Sequence, residues 1–528
     1  MASAFNFARC LQNVRCRNLA ISRLSATLSP KRLYSSNVCI LSEQDLWHEY
    51  NEVKGFCETY ASKHDINVNS AMIFANNEMN LSDIQVYGFD YDYTLACYKD
   101  ALHRLIYDQA LENLVGEKKF PAGIKGMPYR PEFGIRGLHF DRRKGVLMKL
   151  DTFNSIQMGT VHRGLNQLSD KEVVELYGGT HIPDDHLKPD KDDFHISQLM
   201  DLFNIPEMTL LCNVIQYLID HEIDYDPEYL FNDIRKSVKD VHIFGTMHRE
   251  VANNVEKYLD ADKQVAKLIN KLHSSGKNLF LITNSPFWFV DKGMQFLIGP
   301  DWTDMFDVIV SNARKPLFFK DQSRPFRFIY PKTGTPAWSR VTKLQKGKIY
   351  IEGNVQQFTK MTSWDPSQVL YFGDHVYSDL ADPGLKNGWR TGGVIPELAD
   401  EITICNSVPF KRAVTWLVAL QDLIEKHQVH NNAACQAVVQ EWLNERQQLR
   451  VTTKTLFNPQ FGSIFRTYHN PSYFVTRLCR FADVYTSSVC NLLDYSLTHT
   501  FYPRRSALPH EISYSALSAI SASRKISS

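Results

Sequence analysis

Ile84-Gln85-Val86-Tyr87-Gly88-Phe89-Asp90-Tyr91-Asp92-Tyr93-Thr94-Leu95 begins as an apolar run and leads into two aspartates two residues apart. A short apolar stretch that stops at polar residues, rather than alternating with them, is the pattern of a strand buried on both faces of a parallel sheet. The same pattern recurs at 278–282, 306–310 and 368–372. Val255, Leu259, Val265, Leu268, Ile269 and Leu272 place a helical stripe over 255–274, which Gly276 stops. Helix followed by strand predicts a doubly wound, Rossmann-like α/β core. Nearly two hundred residues separate the first two strands, too many for a crossover, so they form a domain inserted into the core. Within that insert, 183–193 is polar and reads as a loop, and 196–219 reads as helical. Further helical patterns cover 414–426 and 433–449, and a Ser-rich polar tail follows Glu511.

The 528 residues are enough for about three average domains. An apolar fraction of 44% with 22% charged residues excludes wholesale disorder and fibrous classes. Lys+Arg 59 against Asp+Glu 58 leaves +1, so no global charge favours a nucleic-acid polymer or an anionic membrane. No apolar run reaches the roughly 18–20 residues that span a bilayer; the stretch 208–219 is short and contains Asn213 and Gln216. The ten cysteines form no CxxC pair, which argues against a zinc ribbon or a disulfide framework and fits a reducing compartment.

Chemistry concentrates where the expected strands end, which is where open α/β sheets bind ligands. Asp90, Asp92 and Thr94 follow the first strand as DxDxT; hard oxygen ligands in this arrangement suit Mg²⁺ and phosphate oxygens. Thr283-Asn284-Ser285 follows the second, Arg314-Lys315-Pro316 the third, and Gly373-Asp374 with Asp379 the fourth. Singly, each is also ordinary loop chemistry. In this order they supply acids, a hydroxyl, a cation to offset charge, and more acids for a divalent metal.

That ordered set resembles the haloacid-dehalogenase-like phosphohydrolases. The stretches GFDYDYTLA, LITNSP, ARKPLFF, YFGDHVYSDLAD and GWRTGGVIPEL are similar to the cytosolic purine 5′-nucleotidase family, in particular to its 5′-nucleotidase domain-containing branch, and LFNIPE, GSIF, RFADVY and LPHE extend the match over roughly 43–511. The resemblance implies a Mg²⁺-dependent phosphomonoesterase acting on a nucleoside 5′-monophosphate or another small phosphate ester. It implies Asp90 as nucleophile and Asp92 as general acid and base. It places Mg²⁺ on a carboxylate oxygen of Asp90, the backbone carbonyl of Asp92, and Asp374. Thr283 and Lys315 would hold the phosphoryl group, and Asp379 would orient Lys315 or a metal water. Asn284 is expected to bind substrate, and Phe153 and Asn154, by their position in the cap, to contact a base. Homo-oligomers are also implied. The expected organisation is a leader over 1–42, core over 43–98 and 251–425, an inserted cap over 99–250, a helical extension over 426–511 and a disordered tail over 512–528.

A reading from another class is a weakly active or inactive binding or regulatory protein, motivated by a divergent cap and by Tyr91 and Tyr93 beside the aspartates. A phosphotransferase that passes the phosphoryl group to a second alcohol is a third. The amino end departs from overall neutrality: Arg9, Arg15, Arg17, Arg23, Lys31 and Arg32 precede the first acid, Glu43. An Arg- and Ser-rich, acid-poor segment is the composition of a mitochondrial transit peptide, and Arg32-Leu33-Tyr34-Ser35 resembles a matrix-protease cut. A basic tail on a cytoplasmic protein is the alternative. Residues 1–42 fused to a fluorescent reporter are expected to carry it into the mitochondrial matrix; a diffuse cytoplasmic signal would remove that expectation.

Overall fold

The computed structural model describes residues 41–63, 67–331 and 333–505. The expected leader, all but its last two residues, and the Ser-rich tail lie outside the described residues. The described residues divide into two compact units, one of those before residue 68 with 406–450 and 504–505, the other of those in 68–405 and 451–503.

The larger unit is built on a nine-stranded sheet. Numbered along the chain, its strands are β1 (Phe74–Ala75), β2 (Val86–Phe89), β3 (Asn278–Ile282), β4 (Val308–Ser311), β5 (Phe326–Ile329), β6 (Ile349–Glu352), β7 (Val369–Gly373), β8 (Arg390–Val394) and β9 (Val484–Thr486). Their order across the sheet is β1-β9-β8-β7-β2-β3-β4-β6-β5. From β9 to β6 all pairs are parallel, and β1 and β5 close the two edges antiparallel. The four strands expected from their apolar runs are β2, β3, β4 and β7, with bounds displaced by two residues at most. β2 is central, between β7 and β3. Because β7, β2, β3 and β4 run the same way, the residues that leave their carboxyl ends emerge along one edge of the sheet.

The segment between β2 and β3 carries helices Asp100–Gly116, Asn204–Asp220, Pro227–Ile243 and Thr246–Asn253, with a separate five-stranded antiparallel sheet. Its stretch 196–219 is not one helix: Ile196–Leu199 pairs with Leu138–Asp141 as a strand, and the helix starts at Asn204. Apolar periodicity alone does not separate a buried strand from the helix that follows it. The stretch 255–274 likewise breaks into Val255–Tyr258 and Lys263–Ser274, the second capped by Asp262 accepting from Gln264 N–H.

Two parts of the expected organisation are different. The segment 426–511 is not purely helical, since it contributes β9 to the central sheet between β1 and β8. Helix Glu43–Lys63 and residues 406–425 belong not with the core but to the smaller unit, where Leu46, Tyr50 and Cys57 pack on Trp416, Leu420, Leu423 and Trp442. Both depend on pairings hundreds of residues apart in the chain, which leave no local pattern to read.

Gly88 in β2 faces the Phe280 ring so closely that a Cβ there would lie 2.0 Å from it. That ring has little room to move, being packed among Phe358, Trp364, Tyr371 and Trp389 at centroid distances of 5.1–5.9 Å. Gly88→Ala is therefore expected to destabilise the core by about 1–3 kcal/mol, the usual cost of overpacking, read as a lower midpoint in urea unfolding; an unchanged midpoint would show that the ring yields.

Candidate active site

Asp90 leaves β2 with its N–H donating to the Phe372 carbonyl at 2.9 Å, one step beyond the strand. Tyr93 then takes a left-handed conformation (φ 51°), which turns the chain back so that its N–H reaches the Ala96 carbonyl at 2.9 Å. After β4 the loop carries two more left-handed residues, Asn312 (φ 46°) and Arg314 (φ 60°), conformations that persist where surroundings enforce them. The enforcing contact is Asn284. Its Oδ1 accepts from Lys315 N–H at 2.6 Å and its Nδ2 donates to the Lys315 carbonyl at 3.1 Å. The Asn284 side chain thus fixes Lys315 by its backbone.

Lys315 Nζ lies 2.8 Å from Asp90 Oδ1 and 2.6 Å from Asp379 Oδ1, and donates to Tyr371 Oη at 3.1 Å. Asp379 sits on a π-helical turn, Val376–Ala381, a feature common at functional sites. A Cβ on Gly373 would fall 2.3 Å from Asp379 Cβ, so the missing side chain is what lets Asp379 close against the end of β7. Its Oδ2 accepts from His375 N–H at 3.2 Å. Asp90, Asp374 and Asp379, all buried, each place an oxygen within 4.8 Å of the others. Asp90 Oδ1 also accepts from Tyr91 N–H at 2.7 Å, so Lys315 and this amide both occupy that oxygen.

Charge in this group does not balance within the protein. Lys315 is one cation among three buried carboxylates. Arg136 donates to the Asp374 carbonyl at 3.0 Å and lies 4.0 Å from its Oδ2, but its guanidinium is shared with Glu397, which it meets through both Nε and Nη2. Burial raises the pKa of Asp90, with Asp379 and Asp92 pushing the same way against Lys315. Burial also raises that of Asp374, reinforced by Asp201. Burial works against the Lys315 charge, but Asp379 and Asp90 outweigh it and hold the ammonium protonated. An excess of converging, desolvated carboxylate oxygens is the donor set a hard divalent cation needs, so these residues fit Mg²⁺.

Asp92 has different surroundings. Its Oδ2 accepts from Ser285 Oγ and its Oδ1 from Tyr98 Oη, both at 2.7 Å. Burial raises its pKa while these two donors lower it. Thr283 is fully buried, and its Oγ1 accepts from Ser285 N–H at 3.1 Å. Aromatic rings adjoin this side: Tyr98 with Tyr93 (5.1 Å), Phe203 with His242 (5.1 Å), and His248 with Phe289 (4.7 Å) and the partly exposed Trp288 (6.3 Å). Burial drops the His248 imidazole to about 4, so it is neutral near pH 7.

The structure therefore gathers Asp90, Lys315, Asp374 and Asp379, with Asp92 and Thr283 joined through Ser285. Phe153 and Asn154 are not brought to this group. Phe153 is 65% exposed, and Asn154 Nδ2 reaches Asp184 at 3.3 Å instead. Ser285, Tyr98, Arg136 and Tyr371 escaped the sequence reading; only Ser285 had a signal, its place beside Thr283.

Residues 73–513 match the 5′ nucleotidase family. This chain belongs to that family. It is similar to the human 5′-nucleotidase domain-containing protein 2, 49% identical over 84% of this chain and 86% of the relative, and to the Rattus norvegicus protein of the same name, 47% identical over 88% and 85%. A Dictyostelium discoideum 5′-nucleotidase domain-containing protein is 40% identical over 83% of this chain and 74% of its own length. A magnesium-bound putative HAD-hydrolase of Bacillus subtilis overlaps 60% of this chain and 90% of its own at 14% identity, with a TM-score of only 0.20.

If the acidic group is short of positive charge, Asp374→Asn should relieve repulsion. In EDTA the variant is expected to melt a few degrees above wild type, while millimolar Mg²⁺ raises the melting temperature of wild type alone. A variant that melts lower in EDTA, or that gains equally from Mg²⁺, would contradict the charge imbalance.

Proposed function

We propose that this family member is a Mg²⁺-dependent phosphomonoesterase acting on a nucleoside 5′-monophosphate or a similar small ester through an aspartyl-phosphate. The observation that carries the reading is the different setting of two neighbouring aspartates. Asp90 is held by an ammonium beside two further carboxylates, and Asp92 by two hydroxyls.

Lys315 and the Tyr91 N–H fix Asp90 Oδ1, which aims Oδ2 at phosphorus. As the bond from Oδ2 to phosphorus forms, the bond to the ester oxygen breaks, and protonated Asp92 gives its proton to that departing oxygen. Its raised pKa suits it to carry that proton, while Asp90, whose pKa burial also raises, relies on the Lys315 charge to act as a carboxylate. Asp92, now a carboxylate, takes a proton from water as the water oxygen attacks phosphorus and the bond to Asp90 breaks, releasing inorganic phosphate. Ser285 and Tyr98 hold Asp92 in place for both transfers. Thr283 and Lys315 flank the phosphoryl oxygens. Asp90, the Asp92 carbonyl and Asp374 would hold Mg²⁺, with Asp379 beside them, and it would supply there the charge that offsets a dianion among carboxylates. The rings of Tyr98, Phe203, His248 and Trp288 beside Asp92 favour a leaving group with a flat face.

Phosphate release from a panel of nucleoside monophosphates and sugar phosphates with Mg²⁺ tests this. Asp90→Asn is expected to lose at least about 10³-fold in kcat through loss of the nucleophile, and Ser285→Ala about 10-fold with KM little changed, since positioning of an acid–base group is worth less than the group itself. Equal background from wild type and Asp90→Asn across the panel would defeat the hydrolase reading.

A further inference from the structure

A second group of metal-ligating side chains stands in the cap, away from the aspartates. His186 ends the short 3₁₀ turn Asp184–His186, Asp193 lies in the loop that follows, and His195 directly precedes the strand Ile196–Leu199. One donor atom from each lies within 4.8 Å of the others, and the two imidazole rings are 4.4 Å apart between centroids.

We propose that His186, Asp193 and His195 bind a divalent transition cation of the zinc type. The outer contacts of His195 and Asp193 suit such a site. His195 is buried, and its Nδ1 lies 2.6 Å from the Asp193 carbonyl. A carbonyl only accepts, so Nδ1 carries the proton and Nε2 keeps its lone pair. Asp141 Oδ2 is 3.9 Å from Nε2, beyond hydrogen-bond reach, and already accepts from Tyr177 Oη at 2.8 Å, while Asp193 Oδ1 stands 3.8 Å from Nδ1. A histidine that donates one ring N–H to a backbone carbonyl and presents the other nitrogen is the usual arrangement of a metal-ligating imidazole.

Asp193 is prepared in the same manner. Arg143 Nη1 donates to its Oδ1 at 2.6 Å, which leaves Oδ2 facing His186 Nε2 at 2.7 Å. Donors bonded to a tetrahedral zinc at about 2.0–2.1 Å stand roughly 3.3 Å apart, so the ion would replace the proton now shared there with an opening of about half an ångström. Two imidazole nitrogens and one carboxylate select zinc-like ions over Mg²⁺, whose preference is for oxygen alone. Three protein ligands leave a fourth position for water. Bound there, the ion ties the 184–186 turn to the strand, and with it Asp184, which receives the Asn154 amide.

The test uses the full-length protein, stripped with EDTA and then held in excess Mg²⁺ while Zn²⁺ or Co²⁺ is added. Wild type and Asp90→Asn are each expected to bind one equivalent of Zn²⁺. His186→Ala, at a partly exposed position, is expected to lose at least about tenfold in affinity, the least effect seen when even an outer partner of a metal is removed. Co²⁺ should give wild type the visible band of a low-coordinate nitrogen-ligated site, absent from His186→Ala. Zn²⁺ should raise the melting temperature of wild type and not of His186→Ala or His186→Gln, the second variant serving if the first does not fold. No Zn²⁺ uptake by wild type in Mg²⁺ would overturn the site, as would uptake that His186→Ala keeps and Asp90→Asn loses, which would assign the ion to the acidic centre.

Discussion

An ammonium group buried between two carboxylates organises the acidic end of the sheet. Lys315 reaches Asp90 from the β4 loop and Asp379 from the π-turn after β7, so one side chain joins chain segments that emerge on either side of β2. Burying such a group is costly unless its partners are in place, and the surroundings are arranged to keep them so. Asn284 fixes the Lys315 backbone, two left-handed residues bend the loop toward the site, and Tyr371 passes a hydrogen bond from Nζ to the Ile282 carbonyl. Moving any of these segments would leave a charge in the core without its counterpart.

The same constraint separates the two aspartates of one short motif. They are two residues apart in an extended turn, so their side chains face different neighbours. One finds the ammonium and the shared acidic pocket, the other finds hydroxyls and aromatic rings. Different environments for two like groups are what one fold needs to give them different proton affinities. Here those environments are set by which strand each neighbour follows.

The strands that carry the site were legible because burial on both faces leaves an unbroken apolar run, and because each run ends in the polar residue that the sheet edge displays. Asp90, Asp374, Asp379 and Lys315 converge as their positions after β2, β7 and β4 required. What the sequence did not display are partners chosen by three-dimensional proximity. Tyr98 and Ser285 meet only through the side chain of Asp92, and Arg136 reaches Asp374 across more than two hundred residues. Phe153 and Asn154 were placed by analogy of position in the cap, where register is set by local strand pairing, and the chain leaves Phe153 exposed and turns Asn154 toward Asp184. The pairing of Glu43–Lys63 with Val408–His427 is of the same long-range kind: Glu49 meets Lys426 and His427 there.

The place of β9 bears on how the polypeptide matures. Every side chain of the acidic centre precedes residue 380, yet the sheet is joined to its β1 edge by residues 484–486. Synthesis from the amino end thus produces every side chain of that centre well before the segment that seals its scaffold, and until then β8 offers an open row of backbone donors and acceptors. A premature stop between β8 and β9 would remove none of those side chains, and would still leave an adhesive edge for quality control to find.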